Sequence, residues 1–231
     1  VSFGSTIDPE ILRCARALVT ELEQHPFPGL LEFEASYTGV TVFYDLGAGP
    51  GIFLPEDHWL SKGYREAAAR VKALLEGIRF TAEAERDKIR IPVCYGGEYG
   101  PDLEEVAEYH HLTPEEVVKI HTGGDYLVYM IGFAPGFPYV GDCRRKSPPP
   151  EENSRLVIPA GSVGIAGSRP GPTLWNPGGW QLIGRTPLAL FRPWDLEHPS
   201  LLQAGDRLEF VSITPEEYKE LAAKEKEGAQ K

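Results

Sequence analysis

Gly132-Phe133-Ala134-Pro135-Gly136-Phe137-Pro138-Tyr139 holds glycine, proline or an aromatic ring at every position but one. Proline fixes φ and lacks an N–H, and glycine admits positive φ, so no helix and no long strand runs through it. Residues 132–187 contain ten of the chain's 25 glycines and ten of its 21 prolines. Two more such pieces follow. One is Pro159-Ala160-Gly161-Ser162-Val163-Gly164-Ile165-Ala166-Gly167, and the other is Asn176-Pro177-Gly178-Gly179-Trp180-Gln181-Leu182-Ile183-Gly184-Arg185-Thr186-Pro187. Between them lie short β-rich runs at residues 156–158, 162–165 and 181–184, with 126–131 before and 207–211 after. Short strands bounded by glycine and proline predict a closed or sandwiched β domain.

Upstream the pattern changes. Thr113-Pro114-Glu115-Glu116 is a capping box opening a helix to about His121, and Asp102 can cap a short helix through Tyr109. Further back, Asp8-Pro9-Glu10 starts a helix with Ile11, Leu12, Ala15, Leu18, Val19 and Leu22 at helical spacing, stopped by Pro26 and Pro28. Residues 30–35 and 39–44 read as paired strands, 64–77 as a second helix, and 89–95 as a strand. With residues 1–4 as the tail of a first strand, the order is β-α-β-β-α-β, the ferredoxin-like arrangement. The expectation is therefore α+β: a ferredoxin-like α/β domain over residues 1–95, then a β-barrel domain over 96–231. A second Thr-Pro-Glu-Glu box at Thr214 starts its C-terminal helix.

Composition narrows the function classes. Apolar residues make up 42% and charged residues 25%, as in ordinary globular proteins. The net charge is -11, and the one short basic run is Arg144-Arg145-Lys146. That balance argues against nucleic acid and anionic membrane as partners. Cys14, Cys94 and Cys143 are too scattered for a disulfide framework or a zinc site, and fit reduced thiols in a cytoplasmic protein. Cys94 sits in a strand pattern and reads as packed before it reads as a nucleophile. No apolar run approaches the ~18 residues that cross a bilayer. The opening Val-Ser-Phe-Gly lacks the basic and apolar regions of a secretory signal.

The three pieces, with His121-Thr122 before them and Ile91-Pro92-Val93-Cys94-Tyr95-Gly96-Gly97 upstream, closely resemble the KipI / allophanate hydrolase subunit 1 family. That family is also described as the B-type subunit of the prokaryotic ATP-dependent 5-oxoprolinase. The resemblance runs from about Asp8 to Phe210. It implies a cyclophilin-like barrel for the second domain, and a partner of similar architecture, the subunit-2 or C-type protein. It also implies an A-type, LamB/YcsF-like third subunit, with which ATP drives opening of the 5-oxoproline lactam to glutamate. Two other activities occur in the family: inhibition of a sensor histidine kinase, and a part in urea carboxylase and allophanate hydrolase systems. The sequence departs from the family pattern at Arg169-Pro170-Gly171-Pro172-Thr173-Leu174-Trp175.

Lactam opening needs an anchor for the substrate carboxylate, donors for developing negative charge, and a proton shuttle. Arg185 is the candidate anchor, because a guanidinium grips a carboxylate through two hydrogen bonds; it reads equally as a structural ion pair. His121 is the candidate acid–base group, and equally a histidine set against a helix C-terminus. Gln181 can donate and accept in one pocket. Backbone amides at residues 132–136, Gly136 among them, and at Gly178 and Gly179 can supply oxyanion donors. Phe133, Pro135, Phe137 and Trp180 can wall a substrate site, or plug the ends of a barrel. No phosphate loop and no carboxylate cluster for a metal are legible. ATP with its magnesium is therefore expected to be bound largely by the partner subunit.

Overall fold

The computed structural model describes residues 1–45, 59–78, 87–132, 134–141, 158–165, 172–174 and 180–228. They form two compact units, Val1–Ala84 and Glu85–Lys231.

In the first unit, helix α1 (Pro9–Gln24) begins where the Asp8 carboxylate accepts the Glu10 N–H, with proline at the first turn. Leu12, Ala15, Leu18 and Leu22 are its buried residues. Their spacing of three and four places them on one face. Strands β1 (Leu30–Ser36) and β2 (Gly39–Tyr44) pair antiparallel. Ser2 bridges to Gly39, which lays the N-terminal residues along β2. Helix α2 (Trp59–Gly77) contributes Val71 to a core with Ala15, Leu18, Leu22 and Val40.

The second unit is built on a closed barrel of seven strands. They are β3 (Ile89–Tyr95), β4 (Tyr126–Ile131), β5 (Pro138–Gly141), β6 (Ser162–Ile165), β7 (Pro172–Leu174), β8 (Gln181–Arg185) and β9 (Arg207–Ser212). Around the barrel the order is β3-β8-β6-β7-β5-β4-β9. Every pairing is antiparallel except β3 with β9, whose parallel register sets Ile91 against Phe210.

This pairing corrects one sequence expectation. Residues 89–95 form the predicted strand, but it hydrogen-bonds to β8 and β9 within the barrel. It does not close the sheet of the first unit, so the ferredoxin-like order loses its last strand. The physical reason lies in the side chains. Ile91, Val93 and Cys94 are all fully or almost fully buried, and β3 needs a neighbour on both edges and apolar cover on both faces. The barrel supplies these.

Three helices flank the barrel strands in sequence. Helix α3 (Leu103–Tyr109) and helix α4 (Pro114–Thr122) pack together and share the barrel's core cluster through Leu103, Val106 and Val117. The capping box of α4 is complete: Thr113 Oγ1 accepts the Glu116 N–H at 3.2 Å, and Glu116 Oε2 accepts the Thr113 N–H at 2.8 Å. Helix α5 (Pro215–Gly228) repeats it with Thr214 and Glu217.

Candidate functional site

The turn after β4 is tied to itself. Gly132 N–H donates to Phe137 O at 3.0 Å, and Phe137 N–H donates back to Ala134 O at 3.0 Å. Such crossing bonds need a left-handed residue, and Gly136 supplies it with φ +72°. A side chain there is excluded twice over, since a Cβ at Gly136 would lie 2.6 Å from Leu190 O.

The turn before β6 is built on the same plan. Ser162 N–H and Ser162 Oγ both donate to Pro159 O, at 3.2 and 2.7 Å. Gly161 has φ +77°, and its carbonyl accepts the Thr186 N–H at 2.8 Å. The chain leaving β8 then passes between the two turns.

These three pieces enclose a cleft of about 360 Å³, walled by residues 134–137, 160–162 and 188–191. That size suits a small molecule or a single large side chain. Its lining is backbone and apolar side chain, with one hydroxyl, Ser162, and no charged group. Two of its walls, holding Pro135, Gly136 and Phe137 on one side and Gly161 and Ser162 on the other, come from the glycine/proline pieces. The third wall was not singled out from sequence. Its signal was the apolar run Leu188-Ala189-Leu190-Phe191 directly after Pro187.

His121 stands elsewhere. It is 5% exposed, within the barrel's core. Its Nδ1 shares a hydrogen bond of 2.7 Å with Tyr95 Oη, and the Phe210 ring lies 4.5 Å away, centre to centre. Tyr126 Oη donates to the His121 carbonyl at 2.8 Å, which fixes the end of α4 against β4. Burial pushes the imidazole pKa down to about 3, so the ring is neutral at physiological pH. Its Nε2 is buried and meets no partner among the described residues. Burial, with Tyr126 adding to it, also holds the Tyr95 phenol well above its ordinary value.

Arg185 ends β8 directly across from Cys94 on β3. Its guanidinium donates to Glu98 O at 3.2 Å and lies 5.6 Å from the Tyr99 ring centre, while its Nε meets no partner among the described residues. The Tyr99 and Tyr218 rings meet at a tilt of 51° with centroids 4.6 Å apart. The group joins the loop after β3 to the first turn of α5. Cys94 beneath it is a thiol: burial raises its pKa, and Glu216 and Glu98 add to the shift. Gln181 starts β8, is 6% exposed, and its Oε1 meets no donor among the described residues. Trp180 precedes it and is half-buried. Phe133, Gly178, Gly179, Cys143 and the segments 142–157, 166–171 and 175–179 lie outside the described residues.

The structure therefore groups the sequence candidates in three places. Pro135, Gly136 and Phe137 line the cleft. Arg185 clamps a loop to a helix, and His121 sits in the core; neither is part of the cleft lining. Among the described residues, no group of three or more His, Cys, Asp or Glu is placed to hold a metal ion. No described helix is long and apolar enough to cross a membrane.

The chain is a mixed α/β protein whose second unit is a closed barrel with glycine turns around a small uncharged cleft. The chain belongs to the carboxyltransferase domain family, subdomain C and D, whose model matches residues 1–202. It is 45% identical over 220 residues to the B-type subunit of 5-oxoprolinase from Bacillus subtilis (strain 168), covering 94% of this chain and 90% of that one. Among solved structures it is similar to TTHA0988, with a TM-score of 0.72 and 32% identity, over 93% of this chain and 40% of that one. It is also similar to the conserved uncharacterised protein PH0987 from Pyrococcus horikoshii, with a TM-score of 0.52, 36% identity and 94% of each chain covered.

Proposed function

We propose that this chain is the B-type subunit of an ATP-dependent 5-oxoprolinase, a component of the machinery that opens the lactam of 5-oxo-L-proline to L-glutamate. The observation that carries this reading is the near end-to-end similarity to the corresponding 5-oxoprolinase subunit of Bacillus subtilis, 45% identical over 94% of this chain. Its working form on this reading is a cytoplasmic complex with a C-type and an A-type subunit.

The geometry supports a division of labour. A 5-oxoproline carboxylate needs a cation, and a triphosphate needs several cations or a bed of amide donors. The cleft lining carries no charged side chain. Arg185, the one arginine among the sequence candidates, already donates to Glu98 O and lies near the Tyr99 ring. The described cleft lining thus offers no cation for ATP, and on this reading the nucleotide with its magnesium is bound largely by the partner subunit. The roles left to His121 and Arg185 are positional: one sets the barrel core, the other holds α5 against the loop after β3.

The test is reconstitution. The chain is combined with the A-type and C-type subunits, and ADP release is followed with and without 5-oxoproline. Substrate-dependent ATP hydrolysis by the mixture, and none by this chain alone, is expected. A folded, complete mixture that hydrolyses no ATP in response to 5-oxoproline sinks the reading.

A further inference from the structure

The segment after the cleft is unusual for a surface. Phe191 is 38% exposed, Trp194 48% and Leu196 89%. Scattered apolar residues need no explanation, but three within six positions that continue an apolar cleft form a patch. Phe191 is itself part of the cleft wall. The next residues along the chain line a second, open groove of about 540 Å³, formed by Trp194 and Leu196 with Asp195, Glu197 and the Arg192–Glu225 pair. Arg192 is neutralised within the chain, donating to Glu225 Oε1 at 2.8 Å. Asp195 and Glu197 have no ion-pair partner among the described residues, so the rim of the groove is acidic. Among the described residues Asp195 Oδ1 accepts the His198 N–H, at 2.9 Å.

Both ends of the segment are tied down. Arg192 N–H donates to Pro199 O, Leu201 N–H to Leu190 O, and Ala189 N–H to Glu225 Oε1. A fixed apolar surface needs little ordering on association, which favours binding.

We propose that residues 188–197 are the face on which another subunit of the complex docks. Its partner places an uncharged apolar side chain in the cleft, covers Trp194 and Leu196, and sets lysine or arginine against Asp195 and Glu197. Two observations choose a protein partner. An apolar centre with a charged rim is the build of a protein interface, and an acidic rim on a chain of net charge -11 selects a basic partner surface. A related solved chain, TTHA0988, carries this unit as only 40% of its length, so in that relative the unit has further polypeptide beside it. The proposal rests on the subunit reading above.

The experiment co-expresses the full chain with its A-type and C-type companions and measures assembly by sedimentation. Leu196→Lys and Glu197→Lys alter exposed positions, and Glu220→Lys on the exposed face of α5 is the control. Each alone should keep the wild-type melting temperature. The first two are expected to weaken the complex about tenfold or more, and the control is not. Raising salt should weaken the wild-type complex and strengthen the charge-reversed one, whose like charges it screens. A complex that forms equally well with Leu196→Lys overturns the docking face and leaves the subunit reading standing. No complex with the wild-type chain overturns both. A dimer of this chain alone that Leu196→Lys dissociates makes the face a self-interface and overturns the proposed partner.

Discussion

The Asp102 carboxylate accepts the backbone N–H of Leu182 at 2.6 Å, while Asp102 N–H donates to Leu182 O at 3.0 Å. One aspartate thus meets both backbone groups of a residue in β8. Asp102 occupies the N-cap position of α3, where its side chain makes no capping hydrogen bond. The carboxylate binds the sheet instead. Replacing Asp102 by alanine leaves a buried N–H unpaired and is expected to cost about 2 kcal/mol. Asparagine, which keeps an acceptor, should recover part of this. Urea titrations of the three proteins check the order wild type, Asn, Ala; an alanine variant as stable as wild type refutes it.

His121 makes stability depend on acid. Its folded pKa is about 3, against an ordinary histidine value near 6.5. Between these values the unfolded chain binds a proton that the folded chain does not. Stability from this group is therefore complete above about pH 6.5 and is lost as the pH falls towards 3. At pH 5 the loss is about 2 kcal/mol. Unfolding free energies at pH 7.5 and 5.0 should show a smaller difference for His121→Gln than for wild type. Equal differences would mean that the imidazole is protonated in the folded barrel.

The two left-handed glycines set the cleft's width. At Gly136 and Gly161 a Cβ would lie 2.6 Å from Leu190 O and 2.3 Å from Thr186 O. Both neighbours are backbone, so neither yields by a rotamer change. Gly136→Ala and Gly161→Ala should each cost at least about 2 kcal/mol, from positive φ and the clash together. Thermal melts decide this, and a loss below about 0.5 kcal/mol, an ordinary surface change, would show that the turns can shift.

Arg185 should not be replaceable by lysine. Its planar guanidinium donates to Glu98 O while lying near the Tyr99 ring, and a lysine cannot reproduce that pairing. Arg185→Lys is expected to loosen α5, seen as faster amide exchange across residues 215–228 with little change in β4 and β5. Uniform acceleration over the whole barrel would argue for a global role instead.

Much of this was readable in advance. Both Thr-Pro-Glu-Glu boxes opened helices, and the runs at 126–131, 162–165 and 181–184 became strands, because caps and short apolar runs are local signals. What failed to show was partnership. Nothing in Ile89-Arg90-Ile91-Pro92-Val93 tells which sheet it joins; that depends on Phe210 and Ile183, far away in sequence. β5 and β7 were missed because Pro138 and Pro172 begin them, and proline reads as a turn. The cleft was half legible, through its glycines. His121 and Arg185 drew attention as chemical groups, yet burial and the neighbouring Tyr95, Tyr99 and Tyr218 decide their state, and those contacts are long-range.

The parallel seam between β3 and β9 has a consequence for how the chain is made. β9 also pairs with β4, so the last strand of the barrel fills the gap between two of its earliest. As the polypeptide leaves the ribosome, β3 and β4 have exposed edges until Arg207–Ser212 emerges, and open edges invite wrong pairing. The family match ends at residue 202, before β9 begins. A fragment trimmed to that boundary is a barrel without its closing stave, and expression vectors for this unit must run through Ser212.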